Sequence, residues 1–93
     1  MTEFKNDLFT LKPVSPNPSN GLVSLEYELK KSTDVSYAVI DASGKTVQRS
    51  DSKTKSPSGY RELIDLRSFP SGKYYISFRA GEKILTQRLL IAK

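Results

Sequence analysis

The chain has 93 residues, a net charge of +5 and neither histidine nor cysteine. This length suffices for one domain and is too short for two. Without cysteine there is no disulfide framework and no thiolate metal site, and without histidine the Ser-His-Asp, Cys-His and His-zinc arrangements are excluded. The 15 Lys and Arg are spread along the chain, a distribution typical of solvated strand faces rather than of a nucleic-acid site.

The two ends of the chain suggest how the domain is organised. The sequence contains no apolar run near the length of a membrane span and no signal peptide at Met1. We therefore expect an excised domain whose export signal, if it has one, lies upstream in a longer parent. Residues 1–13 are predicted to be a linker with a short first strand near residues 8–12, and residues 14–93 to be one β domain.

A proline-rich segment, PVSPNPSNG, occupies residues 13–21. Pro16 and Pro18 exclude a helix and favour extended or turn geometry, and Asn20-Gly21 favours a chain reversal. The next segment alternates apolar and polar residues, which predicts a strand with one buried face. Its inward positions are Val23, Leu25, Tyr27 and Leu29.

The middle of the chain repeats this pattern. Residues 35–39 alternate with Val35, Tyr37 and Val39 inward, and a turn follows in which Asp41 accepts backbone N–H groups two and three residues on while Gly44 supplies positive φ. Residues 49–59 are polar and predict a mobile loop or a ragged edge strand. A further strand follows, with Tyr60, Glu62, Ile64 and Leu66 on one face and Leu63 on the other.

The last third predicts a β-hairpin. Pro70 and Gly72 form a turn. In the strand that follows, Tyr74, Ile76 and Phe78 lie on one face, and the opposite face carries Lys73, Tyr75, Ser77 and Arg79. The segment AGEK fits a two-residue type II′ loop with Gly81 first. That register places Phe78 opposite Leu85, Tyr74 opposite Leu89 and, on the outer face, Tyr75 opposite Arg88.

Strand patterns recur about every ten residues, with turn signals between them and no helical periodicity. This spacing predicts an all-β antiparallel sandwich or barrel of about seven strands.

The end of the chain departs from simple alternation, because Leu89, Leu90 and Ile91 form an unbroken apolar run. One interpretation is that the N-terminal segment of the domain covers the outer face there, or that an edge residue is simply exposed. The other is that the terminal strand is presented to a partner, by edge addition or by docking. Edge addition between two copies would give self-association.

Few side chains suggest chemistry. Asp41 and Asp65 lie at strand ends next to turns, where capping is their usual role, although paired carboxylates can catalyse glycoside hydrolysis. Loop carboxylates could bind calcium, and exposed tyrosines could stack on sugars or bases, but packing is the commoner role of aromatics on strands. The sequence favours a recognition module without a cofactor or small-molecule substrate over an enzyme. The carboxylates considered for calcium are Asp34, Asp41 and Asp51, and the tyrosines are Tyr60 and Tyr75.

Four blocks in order resemble the C-terminal sorting domain of the type IX secretion system of the Bacteroidetes. They are PNPSNG (16–21), VSYAVIDASGKTV (35–47), LIDLRSFPSGKYYISF (63–78) and RLLIAK (88–93). Members of that family carry motifs similar to YPNP-x-x-G, V-x-I-x-D-x-x-G-K-x-V and D-L-x-x-L-x-x-G-x-Y, and they end in a short segment of basic and apolar residues. The chain departs where Val-Ser precedes Pro16 in place of an aromatic, and where Phe69 replaces Leu.

The resemblance implies an immunoglobulin-like sandwich at the end of a secreted cargo protein. Such domains are recognised in the periplasm by the type IX translocon and its carriers, and many are then removed by a surface peptidase that joins the cargo to anionic lipopolysaccharide at the cell surface. The tail residues Leu89, Leu90, Ile91 and Lys93 are the expected recognition feature. The remaining motif residues are expected to be structural: Pro16, Asn17, Pro18, Gly21, Asp41, Gly44, Asp65, Gly72 and Tyr74.

The same motifs are similar to immunoglobulin-like modules of flagellar hook-capping proteins and to accessory domains of exported hydrolases. The alternative hypothesis is therefore a structural or adhesive module of a larger exported protein. Position in the parent distinguishes the two, since a sorting domain must end its chain.

Overall fold

The computed structural model describes residues 4–93 and contains nine β-strands. The first three residues of the predicted linker lie outside the described part. Within residues 4–93 no helix is long and apolar enough to span a membrane. The strands are β1 (Phe4–Lys5), β2 (Phe9–Leu11), β3 (Leu22–Leu29), β4 (Thr33–Asp41), β5 (Thr46–Arg49), β6 (Lys53–Lys55), β7 (Gly59–Asp65), β8 (Gly72–Ala80) and β9 (Lys83–Ile91).

The strands form two sheets, and every named strand pair is antiparallel. The first sheet has the order β1-β2-β3-β7, and the second has the order β5-β4-β8-β9, with β6 also pairing with β4. The β2-β3-β7 and β5-β4-β8-β9 groups correspond to the A-B-E and C′-C-F-G sheets of an immunoglobulin-like sandwich. The predicted fold class is therefore confirmed.

The strand count is nine rather than about seven. The additional strands are β1, with two residues, and β6, with three. Strands this short do not produce a detectable alternation, which needs at least four residues. β6 falls in the polar segment predicted to be a loop or a ragged edge strand, and it pairs with residues 33–35 of β4.

The β8–β9 hairpin has the predicted register. Phe78 pairs with Leu85, Tyr74 with Leu89 and Tyr75 with Arg88. Gly81 has a φ of 60°, and among residues 4–93 no residue other than glycine has positive φ. Gly81 followed by Glu82 with negative φ is the type II′ combination, which matches the right-handed twist of the flanking strands.

The core lies between the two sheets and centres on Phe78. Its ring meets Phe9 edge to face at 5.3 Å between centroids and lies 4.7 Å from the ring of Tyr27. Contacts of this geometry add to the stabilisation that burial itself provides. The inward residues predicted on β3 and β8 are all buried: Val23, Leu25, Tyr27, Leu29, Tyr74, Ile76 and Phe78.

Candidate recognition surface

The apolar run at the end of β9 continues the alternation of the strand. Leu89 is 2% exposed and Ile91 1% exposed, and both belong to the core, whereas Leu90 is 41% exposed on the outer face. Only Leu90, of the three, can therefore contact a partner while the domain is folded. Leu89 and Ile91 hold the tail in register against the core.

The free edge of β9 is covered at its C-terminal end by the proline-rich segment. The Asn17 side chain donates to Arg88 O at 2.9 Å and accepts from Leu90 N–H at 3.0 Å. Ser19 N–H donates to Leu90 O at 2.9 Å, and Ser19 O accepts from Ala92 N–H at 2.8 Å. The segment thus satisfies the outward backbone groups of the tail, which would otherwise be available to another strand.

The part of the β9 edge that the proline-rich segment leaves uncovered is short. Because Leu90 bonds outward, alternation along an antiparallel ladder directs the backbone groups of Ile84, Thr86 and Arg88 outward as well, and Asn17 bonds Arg88 O. The open groups thus run from Ile84 to the Arg88 N–H, a stretch no longer than one short strand. Strand addition at β9 therefore has little backbone to use unless the proline-rich segment moves away.

The proline-rich segment is held in place by a close approach at Gly21. This residue has a φ of +117°, and a Cβ there would lie 2.9 Å from Arg67 Cα. The Ser19 hydroxyl accepts from Gly21 N–H at 3.0 Å and donates to Leu22 O at 2.9 Å. Glycine is required here both by the backbone conformation and by the lack of space. Residues 16–21 of the motif therefore have a structural role, because they hold the segment that covers the edge of β9.

Lys93 folds back onto the loop that precedes β8. Its backbone N–H donates to the Ser71 hydroxyl at 3.0 Å, and its ammonium group donates to Arg67 O at 2.6 Å and to Phe69 O. The Tyr74 hydroxyl donates to Pro70 O in the same loop at 2.7 Å. The structure therefore brings Lys93, Gly72 and Tyr74 together at one end of the second sheet, with Leu90 beside them.

The two motif aspartates stabilise turns. Asp41 accepts hydrogen bonds from Ser43 N–H at 2.9 Å, the Ser43 hydroxyl at 2.6 Å and Lys45 N–H at 3.0 Å, so its backbone donors lie two and four residues on rather than two and three. The Ser43 hydroxyl and the Lys45 N–H lower the pKa of Asp41. Hydrogen bonds from the Arg67 side chain and backbone N–H lower the pKa of Asp65 to about 2.

The carboxylates of residues 4–93 do not assemble into a set of metal ligands. Across residues 4–93 no three Asp or Glu side chains come together in a way that could hold a metal ion. Asp34 instead accepts a hydrogen bond from the Thr54 hydroxyl, and Asp41 is committed to its turn.

The outward side chains of the second sheet form a surface that was not predicted from the sequence. Cross-strand partners share a face of a sheet, and the pairs Tyr75–Arg88, Lys73–Leu90 and Arg79–Ile84 all point outward. We call this surface the second-sheet face. The sequence could have predicted this face, because the cations of β8 and β9 occupy the positions that alternate with core residues.

Leu90 connects the tail to this face. A shallow depression of about 250 Å³ lies beside it, lined by Asn17 of the covering segment and by Tyr75, Arg88 and Leu90. The exposed part of the tail is therefore one end of a larger, basic and aromatic surface.

The sequence matches a known protein family. The model of the family described as the secretion system C-terminal sorting domain matches residues 13–92, nearly the whole chain. No curated protein matches the sequence.

Proposed function

The chain belongs to the family of secretion system C-terminal sorting domains, the sorting signals of type IX secretion, and we propose that the type IX machinery recognises it as a folded domain through Leu90 and Lys93. A sorting signal of this type implies an upstream cargo and export through the outer membrane to the cell surface or beyond. The observation that supports recognition of the folded domain is the placement of the tail. Its middle leucine and its last lysine are exposed, while Leu89 and Ile91 are buried in the core.

The four tail residues have two roles in this proposal. Leu89 and Ile91 hold the end of β9 against the core, so their removal unfolds the signal. Leu90 offers an apolar contact next to a basic side chain. The Lys93 ammonium group is held over the loop at residues 67–71 by its hydrogen bonds, and this fixes its exposed positive charge in place for a partner. Deleting all of residues 89–93 would therefore remove core and recognition residues together.

Membership in the family also supports a proposal for the later steps. We propose that the domain is recognised in the periplasm by the translocon and its carriers. A surface peptidase then removes it and joins the cargo to anionic lipopolysaccharide. The absence of histidine and cysteine agrees with a domain that is the object of these reactions and does not perform them.

The experiment is export of a soluble reporter that carries the full chain at its C-terminus, in a type IX-competent bacterium. The Leu90→Gln/Lys93→Gln double variant should lower the exported fraction, whereas Leu63→Gln/Lys53→Gln should leave it unchanged. The control removes the same two residue types at exposed positions remote from the tail, since Leu63 is 63% exposed on the first sheet. Equal export of both double variants, with circular dichroism showing both folded, would contradict recognition through the tail.

A second result would remove the sorting role itself. If the unmodified reporter stays in the periplasm while its domain is folded, the chain acts as a passive structural or adhesive module of a larger exported protein.

A further inference from the structure

The cations of the second-sheet face form no ion pair within residues 4–93. Arg49 pairs with Ala38, Arg79 with Ser36 and Ile84, and Arg88 with Tyr75, so neutral residues flank each of them across the strands. Among residues 4–93 the four ion pairs all involve Glu26, Glu62 or Asp65, and none includes Arg49, Lys73, Arg79 or Arg88. In the same part of the chain, two carboxylates lie near this face: Asp34, which binds the Thr54 hydroxyl, and Asp51, which lines a depression together with Arg49 and Arg79.

Apolar groups lie between these cations. Ile84 is 57% exposed and Leu90 41% exposed at opposite ends of β9, and the half-buried Tyr75 lies between them on β8. A depression of about 470 Å³ spans β4, β5, β8 and β9 and includes Arg49, Asp51, Arg79 and Ile84. Exposed apolar side chains surrounded by an excess of positive charge are typical of an interface rather than of a solvated strand face.

We propose that the second-sheet face binds an acidic surface of a folded protein, with Tyr75 and Arg88 at the centre of the contact. The proposal rests on the sorting role above, and it supplies the chemistry of the partner that the exposed tail contacts.

Size and composition favour a protein over a lipid surface. Three strands of nine residues at about 3.3 Å per residue, with the four-residue β5 beside them and rows about 4.8 Å apart, give a face about 30 Å long and 15–20 Å wide. Its projected area of about 450–600 Å² approaches the lower end of one side of a standard protein interface, about 600 Å² per partner. Arginine and tyrosine are enriched in such interfaces, whereas a membrane-binding surface combines a dense lysine cluster with apolar side chains that protrude into the bilayer.

Charge complementarity also selects the partner. The four cations outnumber the two carboxylates near this face, Asp34 and Asp51, so the face repels a basic surface and attracts an acidic one. This attraction increases the rate of encounter and orients the two proteins. Burial of Tyr75 and Leu90 then supplies the apolar part of the contact.

The test is site-specific photo-crosslinking in the type IX-competent bacterium, with the full chain fused to its reporter and benzoyl-phenylalanine at position 75. We expect an adduct with one protein, identified by mass spectrometry and joined through an acidic region of its surface. The same amino acid placed at position 63, on the outer face of the first sheet, should give no such adduct.

Charge reversal makes the test specific. Lys73→Glu/Arg79→Glu/Arg88→Glu should lower the yield of the adduct at position 75 at least about tenfold. Lys5→Glu/Lys31→Glu/Lys53→Glu changes the net charge equally at exposed lysines outside this face and should leave the yield unchanged. Lys73→Gln/Arg88→Gln, which keeps the bond from Arg79 to Gly81 O, should still lower the yield if the triple variant fails to fold.

The outcomes separate the two proposals. An adduct with lipid alone, no protein adduct at position 75, or an adduct that survives the loss of the cations overturns binding to an acidic protein surface. Export of the unmodified reporter, measured in the same cultures, tests the sorting role independently. Normal export of the triple-reversal variant together with an undiminished adduct would leave the sorting role intact and reject this inference.

Discussion

The two outer faces of the sandwich use their charges differently. On the first sheet, Glu26 lies 3.6 Å from the Lys12 ammonium and 3.7 Å from the Arg61 guanidinium, and Asp65 binds Arg67 at 2.9 Å. On the second sheet, Lys73 and Arg88 lie beside Tyr75 and Leu90 without a carboxylate partner among residues 4–93. One face balances its charge internally, and the other leaves its charge available to a partner.

This difference indicates how a small domain can be both stable and recognisable. The core between the sheets stabilises the fold, so the outer side chains are free to serve other purposes. Surface ion pairs contribute about 0–1 kcal/mol each, so the lack of pairs on the second sheet costs little stability. The following predictions test whether the outward residues of that sheet are indeed dispensable for folding.

The largest expected effect distinguishes the two sides of β8. Tyr74→Ala should lower the free energy of unfolding by about 3–5 kcal/mol, because it empties a core position and removes the hydrogen bond to Pro70 O. Tyr75→Ala, at the next residue on the outer face, should change it by about 0.5–1 kcal/mol. Urea unfolding of both variants checks this, and equal losses would mean that the outer face is part of the stabilising structure.

A smaller effect is expected at the edge of the second sheet. Asn17→Ala removes two hydrogen bonds to the backbone of β9 and should cost about 1–2 kcal/mol. It should also accelerate hydrogen exchange of the Leu90 amide. Asn20→Ala is the control, since within residues 4–93 the Asn20 side chain bonds only to the nearby Leu22 N–H. If Leu90 exchanges equally fast in both variants, the proline-rich segment does not cover the edge.

The direct comparison of the two faces is a pair of charge reversals. Arg61→Glu places a carboxylate opposite Glu26 and should lower the free energy of unfolding by about 0.5–1 kcal/mol, with the loss reduced at high salt. Arg88→Glu should leave it unchanged or raise it slightly, because it relieves repulsion among cations. Thermal unfolding at low and high salt measures both changes, and a destabilising Arg88→Glu would show that Arg88 has a partner within the fold.

The smallest effect is pH-dependent and belongs to the loop that contacts Lys93. The folded state lowers the pKa of Asp65 from 3.8 to about 2, mainly through the Arg67 side chain, so ionised Asp65 favours folding. This contribution should be fully present above pH 3.8 and should disappear as the pH falls through about 2. The difference in melting temperature between the wild type and Asp65→Asn should narrow over that range. A difference that stays constant with pH would exclude this linkage.

Local patterns predicted the parts of the fold that depend on local spacing. Alternation and Gly81 together predicted the register of β8 and β9, including Tyr74 opposite Leu89. The same register already implied that Leu89 faces the core and Leu90 the solvent. Because the apolar run is unbroken, the sequence predicted recognition by Leu89, Leu90 and Ile91 alike, although of these three only Leu90 is exposed.

Contacts between distant segments could not be predicted from the sequence. Asn17 binds the backbone of residues separated from it by more than 70 positions, and Lys93 binds the carbonyl groups of a loop about 25 residues earlier. Such bonds depend on how loops pack against strand edges after the sheets have formed. A polar residue between two prolines predicts a turn, but not the strand whose edge the turn covers.

The most direct test of the sorting role is the location of a reporter that carries the full chain, compared between a type IX-competent strain and a translocon mutant of that strain. We predict that the reporter appears at the cell surface or in the medium only in the competent strain, with a folded domain in both. Retention of the folded domain in the periplasm of both strains would contradict the sorting role.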